Sequence, residues 1–165
     1  MDGLLWFLQE VWPLVHQQHP KLVLDVIGKN PDDRIVQLAA AEPQVRLHGF
    51  VEDLNDWYDT ARVFIAPLRF GSGIKVKVLN AMYRGIPTVT TAIGTEGLEA
   101  RNGEHLFLSP DPATHADYIT TLLTDPDRWT AMRDNSRRLA AGHYTWSRLF
   151  AAMDQHLSAL FPPER

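Results

Sequence analysis

VFIAPLRFGSGIKVKVLNAMYRGIPTVTT, residues 63–91, decides how the rest of the chain is read. A short apolar run (63–68) is stopped by Pro67 and gives way to a loop holding Gly71 and Gly73. A helical stretch follows, with Ile74, Val78, Leu79 and Met82 on one stripe and Lys77, Asn80 and Arg84 on another side. Gly85 suits a C-terminal cap, and Pro87 prevents the helix from continuing. A second apolar run, IPTVTT (86–91), closes the unit. Strand, crossover helix and strand is the repeating unit of a parallel sheet.

The same alternation extends in both directions. Leu4 to His19 reads as a helix with Leu4, Leu5, Leu8, Val11, Trp12 and Val15 on one stripe, and Pro13 should kink or break it. KLVLDVIG (21–28) is a strand, Asp32 to Ala41 a helix with an acidic start, and VRLHGF (45–50) a strand. Glu52 to Thr60 is a short helix, and HLFLS (105–109) is the last strand. Pro112 to Leu123, Pro126 to Gly142 and Trp146 to Leu160 read as helices, and FPPER is a tail. The fold class is α/β: a Rossmann-like parallel sheet with helices on both faces, one domain over 1–165. Such sheets bind ligands beyond the C-terminal ends of their strands. The loops after Gly28, His48, Pro67, Thr91 and Leu108 are therefore the ones that matter.

Bulk properties narrow the function. The 165 residues suffice for one sizeable core; apolar residues make up 45% and charged residues 22%, as in ordinary globular proteins. A net charge of −4 argues against nucleic acid as a partner. With no cysteine there is no disulfide or thiol chemistry, which fits the cytoplasm. No apolar run approaches the ~20 residues of a membrane span. The opening MDGLLWFLQEVW lacks a basic leader and is read as helix, not as a signal peptide.

Lys75 and Lys77 lie in what reads as the first turn of the helix after the glycine loop, where cations oppose the helix dipole at about 0.3–1 kcal/mol each. Gly71 and Gly73 let backbone amides approach a ligand closely. A bound anion, with a phosphate or diphosphate the natural candidate, would remove the conflict. The alternative is that both lysines point into solvent and the glycines make a turn. The loop is neither a Walker loop nor GxGxxG, since position 76 is Val76.

LLWFLQEVWPLV, LDVIGKNP and VRLHGFVEDLNDWYDTARVFIAPLRFGSGIKVKVLNAMYRGIPTVTTAIGTEGLEARNGEHLFLSPDP, in that order, resemble the C-terminal half of group 1 (family 4) glycosyltransferases of the GT-B architecture. The resemblance covers nearly the whole chain. It implies a donor-binding domain for a nucleotide-sugar, acting in sugar transfer with retention and without an essential metal or other cofactor. Gly71, Ser72, Gly73 and Ile74 would supply backbone contacts to diphosphate and sugar, and Lys75 and Lys77 would stabilise the diphosphate. Gly49, Phe50 and Val51 would lie against the nucleobase, and Thr95, Glu96 and Gly97 of the Gly94–Leu98 loop would border the pocket. Helix dipoles and ammonium groups would replace a metal ion at the departing diphosphate.

Two departures from the family pattern matter. Many members carry glutamates at the positions of Ser72 and Asn80, the second binding the ribose hydroxyls; Asn80 is shorter and neutral, so its hold is weaker. The chain also begins at the first helix of the half, without the usual first strand, its basic loop, or the N-terminal acceptor-binding half that would be the domain's partner. In the usual order that strand lies between the strands at 22–27 and 63–66. Either those two pair directly, or another segment or chain fills the gap, and an open edge invites self-association. The chain is thus read as a fragment of a two-domain enzyme, inactive alone, cytoplasmic or peripheral to the membrane when complete. Its rival is a non-catalytic binding or assembly module. A sugar-nucleotide epimerase of the same architecture fits less well, and a dehydrogenase worst.

Other candidates read as structural. His16 and His19 share a helix face but lack further metal ligands; His48 ends a strand as a hydrogen-bonded histidine. Arg69 reaches either phosphate or the surface, and Arg133, Arg137 and Arg138 form a solvated face. Trp6, Trp12, Trp57, Trp129 and Trp146 suit core packing. Ser147 belongs to no visible nucleophile triad.

Overall fold

The computed structural model describes residues 2–145 together with 147, 148, 150, 151, 153 and 154. The N-terminal segment buries Leu5, Leu8, Val11, Trp12 and Val15 of the stripe its spacing predicts; Leu4 is only partly buried, and Phe7, which is not on that stripe, is buried as well. It is not one uniform helix. Helix α1 (Asp2–Trp6) passes through a π turn (Phe7–Val11) into α2 (Trp12–Gln18). Pro13 is the physical reason: it has no N–H to return to the preceding turn, and its ring crowds the carbonyl there. The Trp12 N–H bonds the Phe7 carbonyl, the longer reach of a π turn.

Strand β1 (Leu24–Ile27), helix α3 (Asp33–Ala41) and strand β2 (Val45–Gly49) form the first crossover unit. Asp32 caps α3 by accepting the Arg34 N–H at 2.9 Å. Helix α4 is shorter than expected, Asn55–Thr60, because the Asp53 side chain accepts the Asn55 N–H at 2.8 Å and holds the preceding residues in a turn. Strand β3 (Phe64–Ala66), helix α5 (Val76–Arg84) and strand β4 (Thr88–Thr90) are the second unit. Gly85 ends α5 in the left-handed conformation, as expected. A 3-10 turn (Ala92–Thr95) leads on to β5, which is only Phe107–Leu108, since residues 101–106 are folded into a tight turn by Gly103 N–H to Leu106 O and His105 N–H to Arg101 O. Helices α6 (Pro112–Thr124) and α7 (Pro126–His143) follow, each opened by an aspartate cap and a proline. The helix expected over 146–160, Trp146 and the tail fall wholly or largely outside the described residues.

All strand pairs are parallel, but the sheet is divided. β1 pairs with β2, with Leu24 opposite Val45 and Val26 opposite Leu47; β3, β4 and β5 pair in that order. β1 and β3 do not hydrogen-bond, so the direct pairing that was one of two expectations does not occur. A common core nevertheless spans the division. The N-terminal helices, α3 and α6 pack over Val45, Val89 and Phe107, with Val26 and Ile65 against the same cluster. On the other face Val78 and Met82 of α5 and Ala140 of α7 pack against Ala66 and Leu106. Ile74, expected on this buried stripe, is 48% exposed and precedes the helix. Among the described residues no helix is long and apolar enough to cross a membrane.

One close contact fixes where the chain enters the fold. A Cβ at Gly3 would lie 1.7 Å from the Pro67 carbonyl oxygen, so α1 begins hard against the C-terminal end of β3. Arg69 is tied there as well, by an ion pair of 3.3 Å to Asp2.

Candidate functional site

The segment from Phe70 to Lys75 connects β3 to α5 beyond the C-terminal ends of the strands, where parallel sheets place their ligands. Gly71 and Gly73 have φ of 123° and 73°, values that a side chain would disfavour. Ser72 between them is exposed, as are Phe70 and Val76 at 67% and 64%. Among the described residues no side chain caps α5, and its first turn carries no acidic residue.

Lys75 is the N-cap residue, not a first-turn residue, and its side chain turns back over its own loop. Its ammonium donates to the Gly73 carbonyl at 2.5 Å and to Glu96 Oε2 at 3.1 Å, and the side chain is 11% exposed. Part of the conflict between cation and dipole is thereby answered inside the protein, by Glu96. Lys77 has no such partner among the described residues. It is an exposed residue, yet desolvation by its surroundings pushes its pKa below the usual lysine range.

The Gly94–Leu98 loop is locked onto the glycine loop. Gly97 has φ 75°, and a Cβ there would meet Ile74 Cγ1 at 2.7 Å. Glu96 holds Lys75, and the Thr95 hydroxyl turns into its own loop toward the Ala92 carbonyl at 3.0 Å. Below them, the Thr90 hydroxyl donates to the Ala66 carbonyl at 2.7 Å, and that of Thr91 donates to the Leu68 carbonyl. These bonds fix the end of β3 from which the glycine loop springs.

Gly49, Phe50 and Val51 follow β2. Gly49 has φ 66° and accepts the Gly28 N–H at 2.8 Å. Phe50 is 65% exposed, and Lys29 Nζ lies 4.0 Å from the centre of its ring, a cation over the aromatic face. His48 Nε2 donates to Asp25 Oδ1 at 2.7 Å, and its ring lies 4.3 Å from that of Trp57, the structural role expected of it.

Asn80 lies one turn into α5, exposed, and faces a cleft of about 400 Å³ between α4 and α5. Glu52, Leu54, Tyr58, Tyr83 and Arg84 share its walls. Arg84 is committed to Asp59 at 3.3 Å and to the side-chain Oδ1 of Asn55, and lies over the Tyr58 ring. Burial raises the Tyr58 pKa above the usual tyrosine value.

The structure thus brings Gly71–Lys75, Lys77 and Thr95–Gly97 together around the start of α5, with Asn80 one turn further along. Lys29 and Glu52 were not singled out from the sequence. The only signal was that each belongs to a loop at the C-terminal end of a strand. Among the described residues no group of three or more His, Asp or Glu is placed to hold a metal ion. His16 stacks on Trp12 at 5.8 Å, and His19 Nε2 lies 3.3 Å from Thr120 Oγ1. Arg137 is exposed, but its stem packs against Gly85, so it is more than a solvated cation.

The chain is similar to known proteins. The family model for glycosyl transferases of group 1 matches residues 1–125. An uncharacterized 44.6 kDa protein in the cps region of Klebsiella pneumoniae is 31% identical over 126 residues, which is 72% of this chain and 32% of that protein. D-inositol 3-phosphate glycosyltransferase 1 of Catenulispora acidiphila is 34% identical over 97 residues, 58% of this chain and 23% of that protein. Among solved structures, Anabaena HepE in complex with UDP superposes with a TM-score of 0.77 at 18% identity, over 89% of this chain and 43% of that one, a likeness of fold. The chain spans about a third or less of the two curated relatives. With its parallel Rossmann-like sheet, its glycine loop before α5 and a family match over most of its length, the chain belongs to the group 1 glycosyl transferases, in the GT-B fold.

Proposed function

We propose that this chain is the donor-binding domain of a retaining glycosyltransferase that uses a nucleoside diphosphate sugar. One observation carries the reading: the uncapped start of α5 holds Lys75 and Lys77, the latter with no partner among the described residues, beside a loop in which two glycines have positive φ. A diphosphate docked there would meet the helix amides and dipole, with the two ammonium groups to balance its charge. Gly71 to Ile74 supply backbone contacts, Lys75 and Lys77 the positive charge, and Asn80 a ribose contact; Gly49 to Val51 flank the base, and Thr95 to Gly97 close the sugar side. Charge on the leaving diphosphate is stabilised by these groups without an essential metal. That HepE was solved with UDP in a related fold supports the choice of ligand.

The acceptor-binding half belongs to this reading as the domain's partner, and a cytoplasmic location goes with it. The undivided core beneath a divided sheet, and the start of α1 at the C-terminal end of β3, suit a parallel strand from the remaining enzyme between β1 and β3. A second copy using those unpaired edges is the alternative occupant. The rival function, a binding module without turnover, is favoured by Asn80 in place of a carboxylate.

Titration of the chain with uridine, guanosine and adenosine diphosphates, followed through the amide resonances of residues 71–77, tests the site. One of the three is expected to shift those resonances. Silence with all three overturns the donor reading, whereas binding without transfer once the acceptor half is joined supports the module.

A further inference from the structure

The cleft between α4 and α5 contains unspent hydrogen-bonding groups. Its guanidinium, Arg84, is already occupied by Asp59 and Asn55. Glu52, which enters from the loop after β2, and Asn80, which enters from α5, have no hydrogen-bond or ion-pair partner among the described residues. Both face the same cleft of about 400 Å³, next to Leu54, Tyr58 and Tyr83.

Position along α5 relates this cleft to the phosphate end. Asn80, Tyr83 and Arg84 share a helix face with Val76, one turn nearer the start. Val76 and Asn80 are thus separated by about 6 Å along the axis at ~1.5 Å per residue. A group in the cleft beside Asn80 is one helical turn from the uncapped amides, a separation compatible with phosphate and pentose of one nucleotide. A vicinal diol presents two O–H donors side by side, and a carboxylate can accept both, whereas an amide has a single acceptor oxygen. Asn80 alone is therefore a poor diol ligand, but across the cleft Glu52 offers the missing carboxylate.

We propose that Glu52 is a specificity-determining residue that accepts from the ribose diol of the nucleoside diphosphate, with Asn80 completing the contact from α5. Glu52 supplies from the β2–α4 loop the negative charge absent from α5, and so selects ribonucleotides over nucleotides lacking the diol. This rests on the donor-site reading above, since it presumes a nucleoside diphosphate at the start of α5.

The test compares uridine diphosphate with 2′,3′-dideoxyuridine diphosphate by calorimetry on the 165-residue chain, with the guanosine or adenosine pair used if that base binds instead. The unaltered chain is expected to prefer the ribose form. Glu52→Gln should weaken the ribose form about 10-fold or more, the effect of losing charge-assisted hydrogen bonds, and leave the dideoxy form unchanged. Adding Asn80→Glu to Glu52→Gln should restore the preference. Equal losses for both nucleotides, or no loss for either, overturn the role of Glu52 while leaving the donor site standing. If the unaltered chain binds none of the diphosphates, the donor reading fails and this inference with it.

Discussion

Replacing Lys75 by alanine tests the phosphate site where the geometry is most specific. In the free protein the ammonium lies 2.5 Å from the Gly73 carbonyl and 3.1 Å from Glu96, with the side chain 11% exposed. Glu96 is 47% exposed, so solvent screens the ion pair and it contributes only about 0–1 kcal/mol. The hydrogen bond to Gly73 adds about 0.5–1.5 kcal/mol. That total is small beside the ~5–15 kcal/mol of a typical domain, so the variant should fold. A charge-assisted hydrogen bond to phosphate contributes more, about 1.5–3 kcal/mol, or roughly 10- to 150-fold in Kd. Calorimetry with uridine diphosphate and with uridine separates the effects, or the guanosine or adenosine pair where that base binds, with thermal unfolding as the control for folding. Loss confined to the diphosphate is expected. The same loss for the nucleoside, in a variant of unchanged Tm, would refute the assignment of Lys75 to phosphate.

Two further outcomes probe the scaffold. Gly97→Ala must place a Cβ 2.7 Å from Ile74 Cγ1 at φ 75°; the left-handed backbone alone costs about 1–2 kcal/mol, so Tm should fall and diphosphate binding weaken together, and an unchanged Tm would show that this loop is not locked onto the glycine loop. His115 is fully buried against Trp6 and Phe7, and burial pushes its pKa below 6.5. Below pH 6.5 the unfolded chain takes up a proton that the folded one refuses, so stability is lost as pH falls from 6.5 toward the lowered pKa and is fully present above 6.5. In chemical denaturation at a series of pH values, His115→Leu should remove that part of the acid slope, and an unaltered slope would contradict a neutral buried imidazole.

The order of elements, their parallel arrangement and the glycine loop were legible in the sequence, because they depend on near neighbours. Apolar spacing located the helices, and Gly85 and the acidic start at Asp32 mark helix ends through bonds that span a few residues; the structure adds like caps at Asp111 and Asp125. Even the break in the N-terminal helix follows from Pro13 alone. What the neighbours could not set is which distant side chains meet. Glu96 reaches Lys75 only because parallel pairing of β3 with β4 brings their following loops side by side. Lys29 covers Phe50 for the same reason across β1 and β2. The division of the sheet between β1 and β3, and the meeting of Glu52 with Asn80 in one cleft, are likewise tertiary. Local sequence specifies backbone conformation through sterics and short-range hydrogen bonds, whereas the charge environment of a ligand site is the sum over loops that only the packed sheet assembles.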